Sequence, residues 1–534
     1  MKSKNFIEDR FREIKNKNFL NYRKLHEKEF ALFKKDFSIQ ISEALNNLHK
    51  KKYSTKQWKI LIGPWLNITL NFFFYYNFFA NFFSRKLEKK IISESSVKHY
   101  PPNDYIEFFK FINTKKYQMY FIKRLILNNN YDSDIKSKNS FQLKANLKKL
   151  LYFKIIKLFS SKKTLFLIRS RLKIKQIFLL IFKSKFKILP LLDLTKIFIP
   201  SGLCYSREKR LKFLSSFDKK YYSVAKFVAE IIPSSYMENF NLYEKTGDKL
   251  LKKASSFYTD TSHLDDDLFK NLILRLSTNK NFKIFIGQHG GNHRIHDKFV
   301  TNYHDDYDIC SKYFVWGKPL KSKEIKLSSI RLFNLNSNDK LIGNAKFDVC
   351  YVFEALRESQ FQGDFKRNDD YIRSLDTKRS FFKNLKKKFI VKSYYEKNRY
   401  EDQISDKKLS KYLDISIKQF KNNKKVLYQS NLIVFDYMST MIFELISLNI
   451  PFILILEKSD EYLSKFGKKF IKDLKKNNLF FNNPYTAAKL INNLPSNKNW
   501  WFEKKRQKKI FELKKNYAYV SEYHINDWYK LLKK

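Results

Sequence analysis

The sequence predicts an α/β protein made of two Rossmann-type lobes with parallel sheets, and three observations predict it. At 534 residues the chain exceeds what one core can organise, and 43% apolar residues suffice to fill two or three. A short apolar run, Ile284-Phe285-Ile286-Gly287, delivers Gln288-His289 into Gly290-Gly291, which is how α/β folds set a reactive side chain at the carboxyl end of a strand. Farther on, Leu432-Ile433-Val434-Phe435 reads as a buried strand, Asp436-Tyr437-Met438-Ser439-Thr440 as a turn, and Met441 to Ile446 as the start of an apolar helix. Pro451 then opens the strand Phe452 to Leu456. Strand, helix, strand in that order is a parallel βαβ unit.

Taken in order, the residues up to about 150 read as a helical extension, with lysine-bearing amphipathic stretches such as Tyr22 to Lys52. The segment Ile60 to Phe83 carries no charge and has the length of a membrane span. Gly63-Pro64 interrupts it, and Asn67, Asn71, Asn77 and Asn81 are costly in lipid, so it reads as a buried or interfacial helix instead. Leu151 to Lys185 alternates basic and apolar residues. It reads first as a solvated helix face with a core stripe and second as a membrane-facing helix. From Ile188 the pattern turns to α/β, and a linker-like stretch after Trp316-Gly317 leads to Lys340-Leu341-Ile342. The expected division is residues 1–325 for an acceptor-side lobe with its helical extension, 326–490 for a donor-binding lobe and 491–534 for a terminal segment, with one helix from Trp501 to Lys533.

The formal charge of +55 comes from 107 Lys and Arg against 52 Asp and Glu. Lysine is spread through every region alongside an excess of Phe, Asn and Ile, as an AT-rich coding sequence produces, so the charge does not by itself indicate nucleic acid and none is expected as a partner. It favours contact with an anionic membrane surface or with phosphorylated substrates. Cys204, Cys310 and Cys350 are too scattered for a disulfide framework, and Met1 to Lys17 lacks the apolar core of a signal peptide. The expected location is the cytoplasm, with peripheral contact at the inner membrane.

The residues that carry chemistry follow from the strand ends. Imidazole titrates near neutral pH, so His289 is a candidate general base for an acceptor hydroxyl, or a proton donor to a leaving phosphate. Gln288, Gly290 and Gly291 form the loop close to the ligand, the missing Cβ atoms allowing a ligand or a left-handed turn. Ser439 and Thr440 sit at a helix start, where free N–H groups and the dipole attract a nucleotide diphosphate or are simply capped. Glu444 or Asp436 would orient the nucleoside. Glu238, Asp260 within Phe257 to His263, and Asp308 are acceptor-side candidates, with loop capping and core hydrogen bonding as the alternatives. His289, His293, His296 and His304 with Asp305, Asp306 and Asp308 match no metal-ligand spacing of known mechanism, and Asp306-Tyr307-Asp308 is only a three-residue DxD pattern. No metal and no cofactor are expected.

Together, His289-Gly290-Gly291 after a strand and Asp436 to Thr440 with their helix and Asn449-Ile450-Pro451 resemble the paired motifs of the teichoic-acid glycerophosphotransferases and capsule polysaccharide transferases. A closer resemblance is to a family of surface-carbohydrate biosynthesis transferases. It rests on Trp58, Gly63-Pro64-Trp65-Leu66, Ile232 to Glu238, Gln288 to Gly291, Ser311 to Gly317, and Trp500-Trp501 with Gln507, Phe511 and Tyr517-Ala518, and it spans nearly the whole chain.

The resemblance implies a GT-B fold, with the donor in a cleft between two Rossmann lobes and the terminal helix packed back on the first lobe. It implies a metal-independent glycosyltransferase that moves a sugar from a nucleotide-sugar donor to a glycan or lipid-linked glycan of O-antigen or capsule type. Transfer of a polyol phosphate of the glycerophosphate type is the alternative within that resemblance, and a non-catalytic polyanion-binding protein on a transferase scaffold is the reading from another class. Two departures stand out. Asn292-His293 occupy the place of a third glycine and an aromatic, and the strand Phe389 to Tyr394 offers Lys392 where the teichoic-acid enzymes have a second histidine. A phosphate-binding cation is therefore expected in place of a two-histidine mechanism.

Overall fold

The computed structural model describes residues 17–80, 100–114, 117, 120, 137–251, 254–296, 303–336, 345–354, 368–392, 406–417, 427, 429–457 and 463–533. They fall into two compact units. The first holds the chain to Gly287 together with Asp305–Lys312, and the second holds Gln288–His304 and nearly all of the chain from Tyr313 onward.

The first unit opens with two long helices, α1 (Lys17–His49) and α2 (Thr55–Ala80). The charge-free segment lies in α2 as far as Ala80, its last residues falling outside the described ones, and Trp58, Leu61, Trp65, Leu70 and Phe72 are fully buried along the helix. The Trp58 indole N–H donates to Asn46 Oδ1 at 2.9 Å, which satisfies a polar atom that burial would otherwise orphan. Among the described residues no helix is long and apolar enough to cross a membrane.

Next come α3 (Leu147–Leu158), β1 (Leu165–Ile168), α4 (Ile174–Lys183), β2 (Ile188–Leu191), β3 (Ser256–Thr259), α5 (Asp267–Leu276) and β4 (Lys283–Gly287). The four strands are parallel in the order β2-β1-β3-β4, with Leu165 opposite both Ile188 and Ser256, and Ser256 opposite Lys283. Every residue of β1 is buried, as a parallel strand covered on both faces requires. Behind the sheet, Asp267 and Lys270 form a fully buried pair at 2.6 Å, and Ser235 Oγ and Tyr236 OH donate to the same carboxylate at 2.6 and 3.0 Å. The Ile232 to Glu238 segment thus supplies hydroxyls to a fully buried charge.

Next in the chain are two strands that pair in parallel, β5 (Lys312–Val315) and β6 (Glu324–Lys326). A five-stranded parallel sheet follows: β7 (Phe347–Val352), β8 (Phe389–Lys392), β9 (Ser430–Phe435), then α6 (Thr440–Leu448), β10 (Phe452–Ile455) and β11 (Phe480–Phe481), in the order β8-β7-β9-β10-β11. The strand–turn–helix–strand series read from the sequence is β9-α6-β10. Where one terminal helix is predicted, three form: Asn499–Phe502, α7 (Lys504–Tyr517) and α8 (His524–Lys533). The break after Tyr517 has a cause. Tyr519 N–H donates to Trp316 O at 2.7 Å and Ser521 N–H to Ser328 Oγ at 3.0 Å, so these amides leave the helical ladder for partners elsewhere in the unit.

Candidate functional site

In the five-stranded sheet the chain goes outward from β7 to β8 and then crosses over to β9 on the other side of β7. Strand order therefore reverses between β7 and β9. In open parallel sheets ligands bind at the carboxyl ends of the strands beside such a reversal, because the two crossovers leave in opposite directions and open a crevice. The turn Asp436 to Ser439 and the first residues of α6 leave β9 at that point.

Ser439 caps α6 with extended backbone, φ −118° and ψ 146°, and its Oγ accepts the Met441 N–H at 3.2 Å. No acidic residue occupies the first turn of α6. Thr440 Oγ1 has a different task, accepting the Gly291 N–H at 3.1 Å. The Gln288 to Gly291 loop and the start of α6 are thus hydrogen-bonded neighbours within one unit.

Local bonds hold the loop in place. Gln288 N–H donates to Phe314 O at 2.8 Å, Trp316 N–H donates to Gln288 Oε1 at 3.0 Å, and Gln288 Nε2 donates to Gly290 O at 2.9 Å. At the other end Arg294 pairs with Glu324 at 3.0 Å, and Ser464 Oγ donates to Arg294 O at 2.5 Å. A Cβ on Gly291 would run into the Phe443 ring of α6. The close approach that this glycine permits is therefore to α6, and its backbone is not left-handed.

His289 is half-buried and lies edge-on to His293, ring centroids 3.8 Å apart at 75°. His293 stands where the resembling family has an aromatic, and it meets His289 as an aromatic edge would. Lys392 ends β8 opposite Val352 of β7, so it reaches the same end of the sheet. It is buried; burial pushes its pKa down, while Cys350 and Glu444 work in the other direction. Glu444, one turn into α6, is held by Arg331 Nε at 2.5 Å. Asp436 forms a buried ion pair with Lys378 and accepts from Ser374 Oγ at 3.2 Å, so its carboxylate is bound on the protein's own cation. Arg331, Lys378 and Phe443 carry no signal in the sequence that links them to these partners.

The acceptor-side candidates are in the first unit and are not gathered at one place. Glu238 is enclosed with Arg210 at 2.8 Å, and Ser206 N–H donates to the same oxygen, Oε1, at 3.0 Å, a buried clamp between two backbone segments. Asp260 follows β3 and accepts from Tyr258 OH at 2.6 Å, with Arg171 at 3.7 Å; burial pushes its carboxyl up to about 7 against both. Asp308 is exposed and lies 3.5 Å from Lys59. Asp306 and Asp308 share the helix Tyr303–Ile309, where positions two apart do not face each other. Asp306 turns inward to His263 Nε2 at 2.7 Å, so the two carboxylates of the DxD pattern do not converge on one another.

The far end of α6 is also held. Asn449 closes the helix in the left-handed conformation, φ 56°, and Trp501 Nε1 donates to its Oδ1 at 2.9 Å. Asn449 Nδ2 donates to Gln507 Oε1 at 2.7 Å. Gly317 lies against the backbone of Asn516 and Tyr517, with no room for a Cβ. The motifs shared near residues 288, 316, 449, 501 and 517 are therefore mostly brackets that hold α6 and the loop against it.

Comparison with known proteins finds likeness to solved structures and to one family model. Two solved structures of the wall teichoic acid polymerase TagF are similar at 12% identity, with TM-scores of 0.31 and 0.32, covering 72% of this chain and 93% and 94% of theirs. The second is a histidine-to-asparagine variant soaked with CDPG. Scores this low leave the strand orders above as the ground for the fold. No curated protein sequence matches the chain significantly. A family model matches residues 17–532, nearly the whole length, and on that match the chain belongs to the LIC12162 family of transferases.

Proposed function

We propose that this transferase moves a sugar from a nucleotide-activated donor to a growing surface glycan of O-antigen or capsule type, at the cytoplasmic face of the inner membrane. In this reading the donor diphosphate sits at the N-terminus of α6. The observation that carries it is the convergence of a strand-order reversal, an acid-free helix start and the Gln288 to Gly291 loop in one unit. The positive end of the helix dipole stabilises the charge that develops on the departing diphosphate. Lys392, whose ammonium form burial disfavours, would have that charged form favoured again beside the anion. Glu444, held by Arg331, faces the nucleoside, and His289 accepts the proton of the acceptor hydroxyl. The parallel sheet in each unit is of the kind that GT-B enzymes carry, and no metal enters the scheme.

The test is a thermal-shift series with nucleoside diphosphates, nucleotide sugars and nucleotide polyols, since a ligand of the native state raises Tm by mass action. A shift with nucleotide sugars is the expected result. A shift confined to nucleotide polyols moves the reaction to polyol-phosphate transfer, and weak, steeply salt-dependent binding of any polyanion without transfer indicates a binding protein. Ser439→Ala combined with Thr440→Ala should weaken nucleotide binding by roughly 1 to 3 kcal/mol, with about 1 kcal/mol of stability lost with the cap. Unchanged affinity would reduce these hydroxyls to caps.

A further inference from the structure

Two helices of the first unit turn apolar residues outward. On α3, Leu147, Leu151, Ile155 and Leu158 follow one another at helical spacing along one face, and Leu147 and Leu158 are 77% and 83% exposed. On α4, Ile174, Phe178 and Phe182 do the same, with Ile174 and Phe182 at 72% and 67%, while Gln176, Leu180 and Ile181 point into the core. The helix ends meet. Phe159, just past α3, stacks on Phe186, just past α4, at 5.4 Å, and Phe182 lies edge-on to Phe186 at 6.1 Å. Side chains of this size are rarely left together in water on a soluble surface.

The charge around them is of one sign. Between Leu147 and Lys187 the chain has eleven lysines and no Asp or Glu, and all of those lysines except Lys149 are exposed. We infer that α3 and α4 form a docking surface for an anionic lipid bilayer, their apolar faces entering the acyl boundary while the lysines meet the headgroups. A second copy of this chain does not fit, because it would set eleven lysines against eleven. A nucleic acid would meet the lysines and leave Leu158, Ile174 and Phe182 wet. The inference stands apart from the donor reading, since it uses no residue near α6.

The test is co-sedimentation of the full chain with phosphatidylcholine vesicles, with and without phosphatidylglycerol. Binding is expected only where phosphatidylglycerol is present. Phe178→Gln with Phe182→Gln should weaken it at least about tenfold, as should Lys175→Glu with Lys185→Glu; Phe511→Gln, an exposed aromatic on α7, should leave it unchanged. All three proteins should keep the nucleotide-dependent Tm shift of the wild type. Equal binding to neutral vesicles, wild-type binding by the Phe178/Phe182 variant, or loss of self-association in that variant with no vesicle binding by the wild type would each overturn the inference. Should the aromatic variant fail to fold, the lysine variant decides alone.

Discussion

Each unit has a parallel sheet whose strand order reverses, between β1 and β3 in the first and between β7 and β9 in the second, and in each a helix follows the inner strand's turn. What differs is the charge already at the helix start. In the first unit Asp266 caps α5 and accepts the N–H groups of Phe269 and Leu194 at 3.0 and 2.7 Å, and Asp267 occupies the first turn. The nearby cations are matched as well, Arg169 by Asp193 at 2.6 Å and by Asp265. In the second unit the helix start has only hydroxyls, one bonded to its own N–H and one to Gly291. A helix whose positive pole is occupied by the chain's own carboxylates is a structural device; one that lacks them is available to an external anion. The same topology thus serves stability in one unit and, on the proposed reading, binding in the other.

The comparison breaks most sharply at His289. His289→Ala should cut transfer by roughly 100-fold or more with little change in nucleotide affinity, because the diphosphate is assigned to α6. His289→Gln separates proton transfer from positioning, and recovery of most activity in that variant would remove the base assignment. Next in size, Asp266→Ala in the first unit should cost about 2 kcal/mol of stability through the lost cap and the orphaned Leu194 N–H. Chemical denaturation measures it, and nucleotide affinity should not move; a loss of affinity would mean that the two helix starts are not separate in role.

Ser439→Asp makes the second helix start resemble the first. Aspartate caps as well as serine, so Tm without ligand should hold, while nucleotide affinity by calorimetry should fall by roughly 1 to 2 kcal/mol. Unaltered affinity would falsify the placement of the diphosphate. The smallest effect is a titration. Burial lowers the His49 pKa to about 4 from 6.5, so between those values the folded state binds fewer protons than the unfolded chain. Its contribution is complete above pH 6.5 and is lost as the pH falls toward 4, about 1 kcal/mol by pH 5.5. His49→Gln, which keeps a donor for Tyr236 O, should flatten the acid limb of the stability curve by that amount.

Much of the fold was legible because its signals are local. The apolar runs that became β4, β9 and β10 and the helix of Met441 to Ile446 are read from neighbours in sequence, and Gly63-Pro64 with its asparagines correctly spoke for a buried helix. The partners were not legible. Asp436 reads as a ligand-facing carboxylate until Lys378, on a helix 58 residues before it, is seen to neutralise it. Glu238 belongs to Arg210 in the same way, and nothing in the spacing announces either pair. Gly291 was read as room for a ligand when the room is taken by Phe443, because an apolar helix pattern says that a face is buried but not against what. The one terminal helix became three since its interruption is made by bonds to Trp316 and Ser328, far away in sequence.

The bracket at Asn449 has a consequence in time. Trp501 and Gln507 lie 52 and 58 residues beyond it. At a synthesis rate of 5 to 20 residues per second, roughly 3 to 12 s pass between the making of the helix end and the making of the side chains that fasten it. For most of that interval the chain from β9 to β10 has been made and its clasp has not. Premature termination before Trp501 would release a protein that has all its sheet strands and lacks the side chains that fasten the end of α6.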